Sequence, residues 1–194
     1  MAVTVAVGFL SLIASRAEDS ASDSTVRAWL EPKSMRASVA LPIVGAQRTE
    51  IAFGRLTEDG LEAFAKTEAE PGDSLLTTAR ANAAADLATL KPRYVRDRHK
   101  VIQYAELHST QPIVASAVLA PKFLPLFKDT LGETVLVVVP NRYTAYAFPS
   151  LATRYQEYYP MVFAAYGETA YPVSVEVFEF SANGIRAVGV FDRP

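Results

Sequence analysis

Residues 135–148 read VLVVVPNRYTAYAF, and this stretch predicts the centre of the fold. Val135–Val139 is an unbroken apolar run rich in β-branched side chains, which is typical of a strand covered on both faces. Pro140 and Asn141 favour a turn, because proline fixes φ and asparagine tolerates turn dihedrals. Tyr143–Phe148 is then the returning strand. We predict an inner strand and its hairpin partner at these positions.

A second hairpin is predicted near the end of the chain. Valines alternate with polar residues from Val173 to Val177, as in a strand with one buried face. Asn183-Gly184 follows, and this pair favours a type I′ turn because both residues tolerate positive φ. Ile185–Phe191 is the predicted return strand.

The clearest helix signal lies before the middle of the chain. Apolar side chains recur at three- and four-residue spacing from Leu76 to Leu90, which predicts one buried stripe. Asp73 or Ser74 is the predicted N-cap, and Pro92 ends the helix. The many alanines of this segment predict close packing against a sheet, since small side chains allow a close approach.

The weaker signals complete a plan of short strands and helices. They are a helical turn at Thr25–Leu30, strands at Met35–Leu41, Thr49–Phe53 and Val101–Leu107, a short helix from Leu61, a helix within Ala115–Leu131 split by prolines, and a helix after Ser150 kinked or divided at Pro160. Hairpin-paired strands between helices of uneven length predict an α+β fold. We expect a mainly antiparallel β-sheet with helices packed on one face.

Composition restricts the chemistry of this chain. It has 194 residues, a formal net charge of −2, no cysteine and two histidines, His99 and His108. Disulfides, thiolate nucleophiles and cysteine-built metal sites are therefore excluded, and a transition-metal site is disfavoured. Neither a Gly-x-Gly-x-x-Gly motif nor a P-loop occurs, so we predict no cofactor.

Two interpretations of the N-terminal segment stay open. Residues 1–24 hold an apolar stretch, Ala2–Ala14, and a Ser/Asp-rich linker, and residues 25–194 are predicted to form a single α+β domain. The stretch is either a strand or helix of a cytoplasmic protein or an export signal cleaved after Ala17. It lacks the basic start of a typical signal, which favours the first interpretation. It is too short to span a bilayer, so no integral membrane association is expected.

The order of several segments resembles a known family. They are Ala79–Ala83, Val101–Tyr104, Leu119–Leu131, Gly132–Pro140 and Tyr171–Ser174. This order resembles the bacterial family catalogued as domain of unknown function fourteen forty-four, over roughly Thr49 to Asp192. The chain departs from the family's pattern at Asn141-Arg142. The resemblance implies a fold but brings no established activity or cofactor.

A basic segment, Lys91–Lys100, is the first candidate site. Its candidate anion-binding residues are Arg93, Arg96, Arg98 and Lys100. They could contact phosphates while Tyr94 stacks on a base. The alternative is a solvated connector whose arginines pair with nearby carboxylates. The acidic net charge favours the connector and disfavours a nucleic-acid partner.

The second candidate site lies where the inner strand ends. Asn141 and Arg142 are placed there by a rigid strand, and Arg142 could bind a carboxylate or phosphate bidentately. His108 is the third candidate ligand-binding residue. The alternative is a simple turn, which we favour. His108-Ser109 also suggests a hydrolase, but no Gly-x-Ser-x-Gly elbow accompanies it.

The expected function follows from a well-specified core without a catalytic constellation. We predict a non-enzymatic module that binds a protein partner or a second copy of itself. The tyrosine-rich segment that contains Tyr155, Tyr158, Tyr159 and Tyr166 is the candidate surface. If so, these rings should form an exposed aromatic patch; the alternative is ordinary core and rim packing.

Overall fold

The computed structural model describes residues 23–70, 72–152 and 154–192. Within them the elements are β1 (Val26–Pro32), β2 (Ala40–Pro42), β3 (Thr49–Thr57), β4 (Gly60–Ala63), α1 (Asp73–Thr89), β5 (Arg93–Arg96), β6 (Ile102–His108), α2 (Val114–Ala117), α3 (Phe123–Phe127), β7 (Val135–Asn141), β8 (Thr144–Pro149), α4 (Tyr159–Gly167), β9 (Glu176–Ser181) and β10 (Gly184–Val190). Short 3₁₀ turns cover Lys33–Met35 and Tyr155–Tyr158. The predicted apolar segment Ala2–Ala14 lies outside the described residues.

The strands form two antiparallel sheets, which confirms the α+β class. The six-stranded sheet has the order β10-β9-β7-β8-β6-β5. The four-stranded sheet has the order β1-β3-β2, and β4 also pairs with β3. The two sheets share one core, in which β1 side chains meet those of β7 and the helices α1, α2 and α3.

Strand β7 is the inner strand that its sequence predicts. All seven of its residues are buried, and it lies between β9 and β8. Val135, Val137 and Val139 contact the core shared with the four-stranded sheet. Leu136 and Val138 point the other way, because successive strand residues alternate between faces.

Our prediction that all helices pack on one face of the sheet is wrong. The 3₁₀ turn Tyr155–Tyr158 and α4 pack on the face of the six-stranded sheet that carries Leu136 and Val138, opposite α1, α2 and α3. The reason is the composition of β7 itself. A strand that is apolar on both faces needs a cover on each side.

Two segments that we expected to be helical are strands. Of the predicted turn Thr25–Leu30, all but Thr25 belongs to β1, which pairs with β3 and packs against α1 and α2, and whose residues Val26–Glu31 are all buried. Leu61 belongs to β4, which follows a tight turn at Glu58-Asp59 and pairs with β3. Both runs are short, and periodicity alone does not separate a short buried strand from a helical turn. Pairing with β3 determines that both segments are strands.

The other expected elements differ mainly at their ends. The predicted strand Met35–Leu41 is reduced to β2, because a 3₁₀ turn covers Lys33–Met35. Helix α1 starts at Asp73 with Gly72 at the N-cap and no capping side-chain hydrogen bond. The predicted break at Pro160 separates the 3₁₀ turn Tyr155–Tyr158 from α4.

The C-terminal hairpin is confirmed, but its turn type is not. Ala182 and Asn183 form the turn between β9 and β10. Gly184 has a φ of +108°, whereas Asn183 is not among the non-glycine residues with positive φ. A type I′ turn requires positive φ at both central residues, so the I′ assignment is wrong.

Candidate functional site

Arg142 is buried in the β7–β8 turn and is fully engaged by its own chain. Its Nη2 donates to the Glu31 carboxylate at 2.8 Å, and its Nη1 donates to the Leu61 carbonyl at 3.1 Å. The same Glu31 carboxylate accepts the indole N–H of Trp29 at 2.6 Å. Arg142 therefore binds a carboxylate of its own chain in place of the ligand carboxylate or phosphate that the sequence suggests.

Two aromatic rings complete the surroundings of the Arg142 guanidinium. Its central carbon lies 5.6 Å from the Trp29 ring centroid and 5.1 Å from that of Tyr171. Arg142 thereby connects β1 and β4 of the smaller sheet to the β7–β8 turn of the larger one. A guanidinium held by a carboxylate, a carbonyl and two rings acts as a structural bridge between the sheets.

Asn141 precedes Arg142 at the end of β7, and His108 ends β6, but the side chains of the three residues make separate contacts. The Asn141 Nδ2 donates to the Ala165 carbonyl at 2.7 Å, which fixes the last turn of α4. His108 is exposed, and its Nδ1 lies 3.2 Å from the Thr144 hydroxyl. The three predicted ligand-binding residues share one end of the larger sheet, but their side chains do not converge on one cavity.

The hydrolase interpretation of His108-Ser109 finds no support in the geometry. The Ser109 hydroxyl accepts the backbone N–H of Gln111 at 3.0 Å. Among the described hydrogen bonds, none joins the side chains of His108 and Ser109. The cavity beside this loop is lined by Tyr143 and by the β3–β4 turn, including Glu58 and Asp59.

The basic segment Lys91–Lys100 contains β5 and the turn that leads to β6. The Arg93 guanidinium is paired with the Glu106 carboxylate across the two strands. Arg96 donates to the Lys100 carbonyl at 2.9 Å, and Arg98 donates to a ring nitrogen of His99 at 3.0 Å. All three predicted anion-binding arginines are thus used within the hairpin. The segment is a strand followed by an exposed turn.

The tyrosines of residues 155–166 do not form an exposed patch. Tyr155, Tyr158, Tyr159 and Tyr166 are half-buried against the outer face of the larger sheet. The Tyr158 ring centroid lies 5.0 Å from that of Tyr104. The predicted aromatic surface is therefore wrong at this place, because the rings are needed to cover the apolar face of β7 and β8.

Burial of this aromatic layer predicts a loss of stability at high pH. Burial, with a smaller contribution from the nearby Glu106 charge, raises the pKa of Tyr146 to about 12. Tyrosines of the unfolded chain ionise near pH 10, so the folded state keeps its proton where the unfolded state loses it. We expect the stabilising contribution of Tyr146 to be intact below pH 10 and to disappear between pH 10 and 12. Urea unfolding across this range should show the decline, and Tyr146→Phe should reduce it; an equal decline in both proteins would contradict the assignment.

An apolar groove lies between α1 and α3, and we call it the α1–α3 groove. It encloses about 690 Å³. Its lining residues include Ala84, Leu87 and Ala88 of α1 and Lys122, Pro125 and Leu126 at α3. Leu126 is 37% exposed, and Ala88 is also exposed. The alanines give the groove a flat floor onto which another backbone could pack closely.

Sequence reasoning missed this groove although its signal is present. Ala79 and Ala83 pack against the smaller sheet and the shared core, as the alanine density predicted. Ala84 and Ala88 form a second row of small residues on a different side of the same helix. The smaller sheet and the shared core cover the first apolar row of α1, and the second row remains available to another partner.

A second cavity adjoins the groove at Pro125, and cationic side chains lie near the groove. Pro125 also lines a smaller cavity of about 230 Å³ that reaches Ala182 in the last hairpin. Arg80 lies one helical turn before Ala84, and Lys91 follows the end of α1. Within the described residues, Arg80, Lys91 and Lys122 form no ion pair or side-chain hydrogen bond.

The described residues contain neither a metal-binding group of side chains nor a membrane-spanning helix. No three histidine or carboxylate side chains come together there in a way that could hold a metal ion. None of the described helices combines the length and the apolar character needed to cross a bilayer.

Comparison of the chain with protein-family models, with curated proteins and with solved structures finds no match.

Proposed function

We propose that this chain is a non-enzymatic interaction module and that the α1–α3 groove binds an acidic amphipathic helix of a protein partner. The observation that carries the proposal is an open apolar groove whose lining includes Lys122, a lysine without an ion pair among the described residues. Membership of the bacterial family catalogued as domain of unknown function fourteen forty-four is proposed alongside it, from the order of segments alone. That family brings no activity that would compete with a binding role.

The shape of the groove favours a helix as the occupant. Helix α1 has 17 residues and is about 25 Å long at 1.5 Å per residue. A groove between two helices typically receives the apolar stripe of a third helix, read through anchors at i, i+3, i+4 and i+7. The small side chains of Ala84 and Ala88 leave room for leucine-sized anchors.

The charges at the groove favour acidic flanks on that helix. Lys128, at the C-cap of α3, is paired with the Glu133 carboxylate at 3.0 Å. Arg80, Lys91 and Lys122 have no such partner within the described residues. Complementary charge raises the rate of encounter and selects the partner, and it is screened by salt.

Binding of a designed peptide tests this proposal. The probe is a fluorescein-labelled amphipathic helix about five turns long, with a leucine stripe and glutamate flanks, and the matched peptide carries lysine flanks. We expect the glutamate peptide to bind at least about tenfold more tightly than the lysine peptide, measured by fluorescence anisotropy. The difference should shrink as salt is added.

Matched variants locate the binding site. Ala88→Glu places a carboxylate in the groove and should weaken glutamate-peptide binding about tenfold. Ala85→Glu is the control, because Ala85 is an exposed alanine of the same helix outside the groove. Lys122→Glu should reverse the preference between the two peptides. Equal affinities for both peptides, or equal effects of the Ala88 and Ala85 variants, would refute the proposal.

A second copy of the chain is the rival occupant. Sedimentation of the wild-type protein and of Ala88→Glu distinguishes the two cases. We expect the wild type to be monomeric at concentrations where the glutamate peptide binds. A dimer that Ala88→Glu dissociates would assign the groove to self-association instead.

A further inference from the structure

A cleft where the two sheets meet is a second candidate site, independent of the α1–α3 groove. We call it the junction cleft; it encloses about 350 Å³. Its walls come from the 3₁₀ turn after β1, the loop before β3, the end of α4 and the strand segment before β9. Pockets that hold small molecules often lie at such junctions and start at about 300 Å³.

Cationic and neutral polar groups line the junction cleft, whereas carboxylates do not. Lys33 and Arg48 are the cations, and Ser34, Gln47 and Tyr166 supply neutral groups. Within the described residues the Arg48 guanidinium has no ion-pair or hydrogen-bond partner. An unpaired guanidinium beside an ammonium favours a phosphate or carboxylate ligand.

The backbone that carries these two cations is held in place. The Lys33 N–H donates to the Arg48 carbonyl at 2.8 Å, and the Lys33 ammonium donates to the Ala46 carbonyl at 2.8 Å. The buried Glu176 carboxylate accepts the N–H groups of Gln47 at 2.7 Å and of Arg48 at 3.2 Å. It also accepts a hydrogen bond from the buried Thr49 hydroxyl at 2.7 Å. This fixes the loop before β3.

Two of the sequence-predicted residues support the walls of the same cleft. Asn141 binds the Ala165 carbonyl and so fixes the position of the adjacent Tyr166. Arg142 binds Glu31, which immediately precedes the lining residues Pro32 and Lys33. Asn141 and Arg142 are therefore positioning residues for the junction cleft and need not touch a ligand.

We propose that the junction cleft binds a small organic anion, with Lys33 and Arg48 holding its charged group. Pro32, Val173 and Val175 supply apolar wall for a compact hydrocarbon body. A phosphate monoester and a carboxylate share this chemistry. Nothing in this binding event depends on occupancy of the α1–α3 groove, so the two proposals stand or fall separately.

Titration of the full chain with three simple anions tests this inference. The probes are phenyl phosphate, benzoate and inorganic phosphate, followed by backbone amide shifts in NMR spectra. We expect saturable binding of phenyl phosphate or benzoate with a Kd at or below about 1 mM, with shifts at residues 33–34, 47–48 and 166. The stronger of the two identifies the charged group, and inorganic phosphate should bind more weakly because it lacks an apolar body.

A matched pair of arginine variants completes the test. Arg48→Gln should weaken binding about tenfold, and it leaves the backbone N–H contact to Glu176 in place. Arg98→Gln, on the exposed β5–β6 turn, should leave binding unchanged. No saturable shift at the cleft, an unchanged affinity in Arg48→Gln, or shifts centred on residues 93–100 that Arg98→Gln abolishes would each overturn the proposal.

Discussion

Replacement of Arg142 by alanine is expected to lower the free energy of unfolding by about 3–5 kcal/mol. The variant leaves the Glu31 carboxylate buried without its cation, and it also removes the donor to the Leu61 carbonyl. An uncompensated buried charge costs far more than a lost surface contact. Urea unfolding monitored by the fluorescence of Trp29, which lies in the same cluster, measures the change.

The control for Arg142 is Arg154, an exposed arginine that pairs with exposed Glu157. Arg154→Ala should cost no more than about 1 kcal/mol, because surface ion pairs are screened by water. Adding Glu31→Gln to Arg142→Ala should recover part of the loss, since the unpaired charge is then gone. If Arg142→Ala is as mild as Arg154→Ala, Arg142 does not bridge the sheets.

A comparable loss, about 3–5 kcal/mol, is expected for Asp86→Ala. Asp86 lies on the buried face of α1 and receives two hydrogen bonds from Arg27 of β1, at 2.7 and 3.0 Å. The remaining Arg27 contacts, to the Ser24 and Val26 carbonyls, do not neutralise its charge. The pair therefore holds α1 against the edge of the smaller sheet.

Asp129→Ala serves as the control for Asp86, because Asp129 is exposed and has no ion pair within the described residues. We expect the free energy of unfolding of Asp129→Ala to match that of the wild type within about 0.5 kcal/mol. Asp86→Asn should fall between the two, because its amide keeps one acceptor but no charge. A wild-type midpoint for Asp86→Ala would show that the Arg27–Asp86 pair contributes nothing net to stability.

The sequence predicts those parts of the fold that local chemistry determines. Val135–Val139 is apolar at every position, which predicts a strand that is buried on both faces. β7 is buried along its whole length. The stripe through Ala79, Ala83 and Leu87 likewise predicts the buried side of α1. In both cases one short pattern contains enough information to identify the element and its covered face.

The parts of the fold that the sequence does not predict depend on pairing and packing between distant segments. The sequence predicts a helical turn at β1 because the strand partner, β3, starts 17 residues after β1 ends and no local signal links them. The cover on the second face of the larger sheet comes from α4 and from the 3₁₀ turn before it, whose tyrosines the sequence suggests as a surface. In the turn, the rings of Tyr155 and Tyr158 lie against Tyr104, Phe148 and Phe191, which only the assembled fold brings together.

The candidate sites show the same division. The sequence places Asn141 and Arg142 at the end of a rigid strand, where the structure has them. It does not reveal that Glu31, 111 residues away, supplies the carboxylate for Arg142. Both proposed binding sites arise from surfaces built by several segments, and no single motif encodes either one.

Hydrogen exchange of the full chain, with and without a saturating concentration of the glutamate-flanked peptide, tests the proposed function most directly. We predict slower exchange in the C-terminal half of α1 and in α3, with no change in the β5–β6 hairpin or at residues 33–34 and 47–48. Protection at the hairpin or at the junction cleft, or unchanged exchange throughout α1 and α3, would contradict the assignment of the α1–α3 groove as the docking surface.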